Sequence, residues 1–506
     1  MVSAAELYER DIELYFVRCS LETILFEIIK TGSMGTRQSA RSEGRSSRYN
    51  VYQLNLCMIV KYWVSMDRDS VEPSVTSLPG PKATEWVEYH QETAATSTYV
   101  YEFVWDITKD AIGPFCTDPD GNVLLDFTSH VAAAPLGYNN PELKARLDGL
   151  DLVDPMKIAG QDFYVSTGGT PETTSLPGPS HLMDLLTDAT DHYGMDTVFL
   201  SNSGAEAVEN AIKICYDHCE TPKYGITFEG AFHGRTLGAL SLNRSKSVHR
   251  RKFPEISGIH DAPYSMAGLE GLREKLDAKH GHLPAEQVAF LILEPVQGEG
   301  GYRVPSEEFM REVQAICSEH DIPVIADEIQ SGVGRTGEMW ASDHYDLEPD
   351  VITSAKALRV GATVSNDDLF PDTEARLSST WGAGDILASI QGALTLELIE
   401  EQNLMSNATE KGTYLRDRLD TLAGRADCVT DVRGLGLMTA IEFDTKEHRD
   451  EALKAALGEG LLTLGCGKRS LRLLPPLDVT ERELDLAIDI LETALDSVVG
   501  VTQTHA

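Results

Sequence analysis

Short, continuous apolar segments alternate with amphipathic segments through the middle of the chain. The apolar segments DTVFLSN, YGITFEG, VAFLILEPV and IPVIADE occupy residues 196–202, 224–230, 288–296 and 322–328. Between them, residues 205–219 and 306–320 carry apolar side chains at helical spacing. Strands without an apolar–polar alternation are buried on both faces, and helices between them cover a parallel sheet. The sequence therefore predicts an α/β fold with a mainly parallel central sheet covered by helices.

Polar residues directly follow several of these predicted strands. Ser203-Gly204-Ala205 stands between a strand and a helix, and Glu294 and Asp327 lie at the ends of two further strands. Ligands of parallel sheets bind beyond the carboxyl ends of the strands, so we expect a site at this edge. A helix start with free N–H groups and a positive dipole end suits a phosphate. By itself, however, Ser-Gly is also an ordinary helix cap.

Asp327 and Lys356 follow the predicted phosphate site along the same alternating segment. Alone, Asp327 could cap the turn that follows it, and Lys356 in DVITSAKAL could be a surface lysine. Together with the phosphate site, they supply the groups that hold pyridoxal 5'-phosphate. The lysine forms a Schiff base, and the carboxylate keeps the pyridine nitrogen protonated so that the ring accepts electrons. The order of these residues favours this interpretation.

The net charge limits the partners of the chain. The sequence has 43 basic and 80 acidic residues, a formal net charge of −37. This charge repels phosphate backbones and anionic membranes, so we expect small-molecule partners and neither nucleic acid nor membrane. Only 17 of the basic residues are lysines, and together with the acidic excess this is typical of halophilic proteins, whose salt-rich cytoplasm screens the repulsion.

The cysteines indicate a reducing compartment. Eight cysteines are scattered through 506 residues and no secretory signal is recognisable, which favours a cytoplasmic protein. Cys215, His218 and Cys219 could share one helical face, but further ligands are not evident nearby. No metal site is predicted.

Charge and pattern also divide the chain. Residues 1–65 contain 8 basic and 7 acidic residues, whereas the remainder contains 35 and 73. We expect residues 1–65 to be an extension outside the fold, either sequence upstream of a start at Met66 or a short helical arm. Predicted helices at 387–423, at 447–459 and from 480, with a strand at 470–476, indicate a smaller α+β domain. The predicted division is an extension (1–65), an N-terminal segment with part of the small domain (66–137), a large cofactor-binding domain (138–395) and a C-terminal small domain (396–506).

A series of motifs resembles the class III, or omega, pyridoxal-phosphate-dependent aminotransferases. In order they are SNSGAEAVENAIK (201–213), FEGAFHGRTLGALSL (228–242), EPVQGEGG (294–301), ADEIQSGVGRTG (326–337), PDVITSAKAL (349–358), SSTWGAGD (378–385), RGLGLM (433–438) and LRLLPPL (471–477). The resemblance runs from about residue 97 to 497. It implies a fold-type I homodimer with active sites shared at the subunit interface. The family includes 4-aminobutyrate, ornithine, acetylornithine and lysine 6-aminotransferases.

The resemblance also implies a role for individual residues. Lys356 would form the Schiff base and shuttle the proton, Asp327 would pair with the pyridine nitrogen, and Gln330 would bind the ring hydroxyl. Phe232 and Ile329 would lie on opposite faces of the ring. The remaining implied contacts are Ser203, Gly204 and Ala205 to the phosphate, Thr380 to the phosphate from the partner subunit, and a switch pair, Glu299 and Arg472. In that pair, Arg472 would bind an α-carboxylate, and Glu299 would neutralise it while an ω-amine is bound; a permanent ion pair without a substrate role is the alternative.

The predicted reaction moves an amino group from an ω-amino acid or diamino acid, of the 4-aminobutyrate, ornithine or lysine type, to 2-oxoglutarate. The glycine run and proline that usually follow the lysine in the family are replaced by ALRVGATVSND, and its common S-T-G-G-N-P pattern with Phe or Tyr after the Thr is replaced by STWGAGDI. These departures leave the donor open. An amino-acid racemase on the same scaffold would use every motif equally well, and a non-catalytic cofactor-binding protein is a third reading.

Overall fold

A computed structural model describes residues 66–96, 103–150, 152, 160–378, 380 and 383–504. Residues 1–65, the predicted extension, lie outside this part of the chain. The strands are β1 Phe115–Thr117, β2 Val123–Asp126, β3 Thr197–Ser201, β4 Tyr224–Phe228, β5 Ile259–Ala262, β6 Val288–Leu293, β7 Val324–Asp327, β8 Val351–Ser354, β9 Gly361–Ser365, β10 Val429–Leu435, β11 Met438–Phe443, β12 Leu461–Leu462, β13 Leu464–Cys466 and β14 Ser470–Leu473.

Helices separate most of these strands. The α-helices are α1 Pro81–Thr93, α2 Pro141–Asp148, α3 Pro179–Asp188, α4 Gly204–His218, α5 Leu237–Leu242, α6 Met266–Leu276, α7 Glu307–His320, α8 Ile386–Glu401, α9 Leu404–Ala423, α10 Lys446–Gly458 and α11 Glu481–Thr504. Short 3-10 helices lie at Asp191–Tyr193, Ser247–His249, Ala285–Gln287, Ala341–His344 and Asp367–Leu369. A turn with left-handed backbone angles occupies Ser129–Ala132.

The central sheet has the strand order β3-β9-β8-β7-β6-β4-β5. Neighbouring strands from β8 to β5 are parallel, whereas β9 is antiparallel to both β3 and β8. The predicted α/β fold with a mainly parallel sheet is confirmed. The antiparallel strand β9 was not predicted.

Both faces of the sheet are buried, which explains the continuous apolar strands. Every residue of β6 and β7 is buried. Successive side chains of a strand point to opposite faces, and accordingly Ile325 packs with Val208 and Ile212 of α4, while Ala326 belongs to the core on the other face. The helical spacing predicted for α4 is therefore the spacing of its buried side.

Two smaller sheets complete the fold. Strands β10, β11, β14 and β13 form an antiparallel sheet, and β1, β2 and β12 form another. The turn 118–122 joins β1 to β2 as a hairpin, as its Asp-Gly sequence predicts. Strand β2 pairs with β12, Leu125 opposite Leu461, so the segment before residue 137 shares a sheet with the C-terminal part. The proposed domain boundaries remain predictions.

The described residues contain neither a helix suited to a membrane span nor a cluster of metal ligands. Among the described residues, no helix is long and apolar enough to cross a membrane. Over the same ranges, His, Cys, Asp and Glu side chains form no group of three that could hold a metal ion. Cys215 belongs to α4, and its side chain is buried in the apolar core.

Candidate active site

Asp327 is the last residue of β7 and is held in one orientation by its neighbours. Its side chain is 3% exposed, and Oδ2 lies 2.7 Å from Nδ1 of His233. Oδ1 accepts hydrogen bonds from the backbone N–H of Ile329 at 3.2 Å and from the hydroxyl of Thr353 at 3.4 Å. The carboxylate is thus fixed at the carboxyl edge of the sheet, as the sequence predicts.

His233, the partner of Asp327, is a site residue that the sequence analysis missed. Its backbone N–H donates to Oδ1 of Asn243 at 2.6 Å, and Asn243 donates in turn to the carbonyl of Gly234 at 2.8 Å. The imidazole is completely buried. A signal was present, because His233 lies in the loop that follows β4, at the same edge of the sheet as Asp327 at the end of β7.

Lys356 follows β8 and is half-buried among charged groups. Burial lowers the pKa of its ammonium to about 8, and the charge of Arg472 acts in the same direction. The carboxylates of Glu299, Asp327 and Glu294 oppose this shift. At neutral pH a larger fraction of Lys356 is therefore uncharged than of an ordinary lysine, which favours its action as a nucleophilic or proton-accepting amine.

Ser203, Gly204 and Ala205 form the start of α4. Ser203 Oγ accepts from the N–H of Glu206 at 3.3 Å and caps the helix. Gly204 is in close contact with the strand-end loop, because a Cβ at this position would lie 2.8 Å from Cδ1 of Ile329. The first turn presents N–H groups that have no partner within the helix, so the cradle can receive a phosphate.

Gly361 keeps β9 close to this cradle. A Cβ there would lie 2.2 Å from Oγ of Ser201 and 2.3 Å from the carbonyl oxygen of Ser203. Only glycine allows so close an approach of the two backbones. The unpredicted strand β9 thus packs directly against the residues that precede α4.

Thr380 also lies near this helix start. Its hydroxyl contacts the side-chain amide of Asn202 and lies 3.5 Å from Oε1 of Glu206, both in the same chain. The predicted contact of Thr380 with the phosphate of a partner subunit stays a prediction.

Phe232, Ile329 and Gln330 lie in the loops beyond β4 and β7. The backbone N–H of Phe232 donates to Oε1 of Glu294 at 2.9 Å, and its ring packs edge-on against His249 with centroids 5.5 Å apart. Gln330 Oε1 accepts from the hydroxyl of Tyr302 at 2.9 Å. Their predicted contacts with the cofactor ring remain predictions.

Glu294 joins two loops of the site. Its second oxygen accepts from the N–H of Gly298 at 2.9 Å, so the carboxyl group links the loop of Phe232 to the loop of Glu299. Burial raises the pKa of Glu294 to about 7, a shift that Asp327 increases and His233 opposes.

Glu299 and Arg472 form the predicted ion pair. Nη1 of Arg472 lies 2.8 Å from Oε1 of Glu299, although the residues are 173 positions apart in sequence. Arg472 is 6% exposed, and its Nε has no hydrogen-bond partner. Lys246, which sequence analysis missed, lies with Nζ 3.2 Å from Oε2 of Glu299. Burial alone would raise the pKa of Glu299, but the charges of Arg472 and Lys246 lower it to about 2.

The residues of this site lie in a segment that matches a known protein family. The sequence model for aminotransferase class-III matches residues 97–495. The chain belongs to the class III aminotransferases. Family membership confirms the resemblance predicted from the motifs.

Several known proteins are similar to this chain along most of their length. The acetylornithine aminotransferase of Caldanaerobacter subterraneus is 32% identical over 75% of this chain and 92% of the relative. The alanine/serine racemase of Pyrococcus horikoshii is 30% identical over 84% and 93%. A solved structure of lysine aminotransferase from M. tuberculosis in the internal aldimine form has a TM-score of 0.71 and 29% identity, covering 81% of this chain and 98% of that one.

Class III aminotransferases use pyridoxal phosphate, and the described residues fit it. A helix start with free N–H groups and no Cβ at Gly204 suits the phosphate. Asp327 would supply a buried carboxylate for the ring nitrogen, and Lys356 would supply an amine of lowered pKa for the aldehyde. The groups that would bind the cofactor therefore lie together at one edge of the sheet.

Proposed function

We propose that this class III aminotransferase transfers an amino group from an ω-amino acid or diamino acid, of the 4-aminobutyrate, ornithine or lysine type, to 2-oxoglutarate. The names of several relatives support this class of donor: acetylornithine, L-lysine-epsilon and 4-aminobutyrate aminotransferases.

The observation that supports the proposal is the Glu299–Arg472 ion pair beside Lys356. A buried arginine with an unpartnered Nε can receive a carboxylate through its planar fork. With Glu299 in contact at 2.8 Å, however, the positive charge of Arg472 is neutralised. The neutralised pair favours a donor whose reacting end carries no carboxylate. One site can therefore accept an ω-amine in one half-reaction and an α-keto acid in the other.

The roles of the chain's residues follow from their contacts. When bound, pyridoxal phosphate would supply an electron sink for the electron pair left on the substrate carbon after its proton is removed. Lys356 Nζ would accept that proton and deliver it to a different carbon, which its pKa of about 8 permits at neutral pH. Asp327, oriented by His233, presents a fixed negative charge to the cofactor ring.

Assembly is part of the proposal. We infer a homodimer in which Thr380 of each subunit reaches the phosphate of the other site. Gel filtration in concentrated salt would test it, and an active monomer would refute it.

The decisive experiment adds single amines to the protein loaded with pyridoxal phosphate, in concentrated salt and without keto acid. We expect an ω-amino acid to convert the absorbance of the pyridoxal form to that of the pyridoxamine form, and 2-oxoglutarate to restore it. Lys356→Ala should abolish both changes. If no ω-amine reacts, the proposal is wrong.

The similarity to the alanine/serine racemase supports a second candidate, an amino-acid racemase. Such an enzyme returns the proton to the same carbon from the opposite face. In the same experiment, the absorbance of the pyridoxal form would persist while an L-amino acid loses its optical activity.

A further inference from the structure

The Glu299 carboxylate contacts two cations, Arg472 and Lys246. Oε1 contacts Arg472 at 2.8 Å, and Oε2 lies 3.2 Å from Nζ of Lys246. The two cations differ in exposure, since the Lys246 side chain is 38% exposed and that of Arg472 only 6%. Arg472 therefore points into the protein, whereas Lys246 lies at the more open side of the carboxylate.

This arrangement bears on how Arg472 becomes available. Arg472 can bind a substrate carboxylate only after Glu299 leaves it, and Glu299 is itself only 18% exposed. A partly buried carboxylate that loses its only cation is strongly destabilised. With Lys246 already in contact, Glu299 can leave Arg472 and remain paired.

Backbone hydrogen bonds fix the segments that carry Glu299 and Lys246, so only the side chains need to move. The carbonyl of Glu299 accepts from the N–H of Gly467 at 3.0 Å. The carbonyl of Lys246 accepts from His249 at 3.1 Å, and the preceding Ser245 donates to Ala231 at 3.0 Å. A rotation of the Glu299 side chain towards Lys246 needs no change in either loop.

We propose that Lys246 is a positioning residue that retains Glu299 while Arg472 binds a substrate carboxylate. This inference rests on the proposed function, because it assumes that Arg472 receives a carboxylate in one half-reaction. Lys246 thereby favours substrates with a carboxylate next to the reacting carbon, which is the class of 2-oxoglutarate.

The test measures binding rather than turnover. Isothermal calorimetry gives the dissociation constant of glutarate, a dicarboxylate without a reactive keto group, for the protein loaded with pyridoxal phosphate. We expect Lys246→Gln to weaken glutarate binding about tenfold, the effect of losing one partly buried ion-pair partner. Lys246→Arg keeps the charge and should restore most of the affinity. Lys411→Gln is the matched control, because Lys411 pairs with Glu481 at 2.9 Å in another part of the chain.

The same substitution in a Glu299→Gln background separates an indirect role from a direct one. Without a carboxylate at residue 299, Lys246→Gln should have no effect on glutarate affinity. An undiminished loss in that background would mean that Lys246 contacts the ligand itself, and the inference would be wrong. It would also be wrong if Lys246→Gln binds glutarate as tightly as the wild type, or if the wild type binds none.

Failure of the proposed function gives a different result. Racemisation without formation of the pyridoxamine form would overturn the aminotransferase proposal in the amine experiment. Glutarate affinity needs no turnover, so the binding measurements on these variants test the role of Lys246 separately.

Discussion

We expect the cofactor-free protein to capture pyridoxal phosphate at a rate that rises tenfold per pH unit and levels off near pH 8. Only a neutral amine attacks the aldehyde, and burial together with the charge of Arg472 lowers the pKa of Lys356 from 10.5 to about 8. At pH 7 a lysine of pKa 10.5 is about 0.03% neutral, whereas one of pKa 8 is about 9% neutral. The environment of Lys356 therefore raises the reactive fraction roughly 300-fold at pH 7.

The assay follows the absorbance of the covalent complex after mixing, at constant ionic strength and over pH 6 to about 10. Nα-acetyl-lysine amide, measured in the same buffers, corrects for the ionisation of pyridoxal phosphate itself. Lys356→Arg should give no covalent complex. If the corrected rate keeps rising beyond pH 9 in parallel with the free amine, the assigned environment of Lys356 is wrong.

Three further predictions concern the supports of the site. His233→Gln should lower kcat about tenfold, because it removes one hydrogen bond to the charged Asp327; an unchanged kcat at an unchanged melting temperature would contradict this. Gly361→Ala should destabilise the protein by about 2 kcal/mol or more in denaturant unfolding, through a Cβ placed 2.2 Å from a neighbouring oxygen. Gly271→Ala, where a Cβ meets open space, is the control and should stabilise the helix by about 0.5 kcal/mol. Removal of residues 1–65 should leave turnover unchanged, whereas Arg68→Ala in the shortened chain should cost about 3 kcal/mol by leaving its buried carboxylate partners unpaired; equal unfolding midpoints would refute this.

Much of the central sheet could be predicted from sequence. The strands β3, β4, β6 and β7 begin and end within a few residues of the predicted segments, because burial on both faces demands continuous apolar runs. Helix α4 was predicted for the same reason, since its buried side repeats at helical spacing. Asp327 and Ser203 were found because they directly follow such strands.

The place of strand β9 in the sheet could not be predicted from the local sequence pattern. It lies between β3 and β8 in the sheet although it follows β8 in sequence, and it is antiparallel to both neighbours. The residues of β9 do not indicate which strands it pairs with, or whether the pairing is parallel or antiparallel.

The sequence alone determined which segments are strands and helices, which family they resemble, and which residue types stand at the strand ends. These properties depend on residues close together in the chain, whose spacing sets which side chains can be buried. Only the tertiary structure decided that His233 orients Asp327 and that Glu299 lies between Arg472 and Lys246. Those contacts join residues far apart in sequence, and their partners are selected by the packing of the sheet and loops, which no local periodicity encodes.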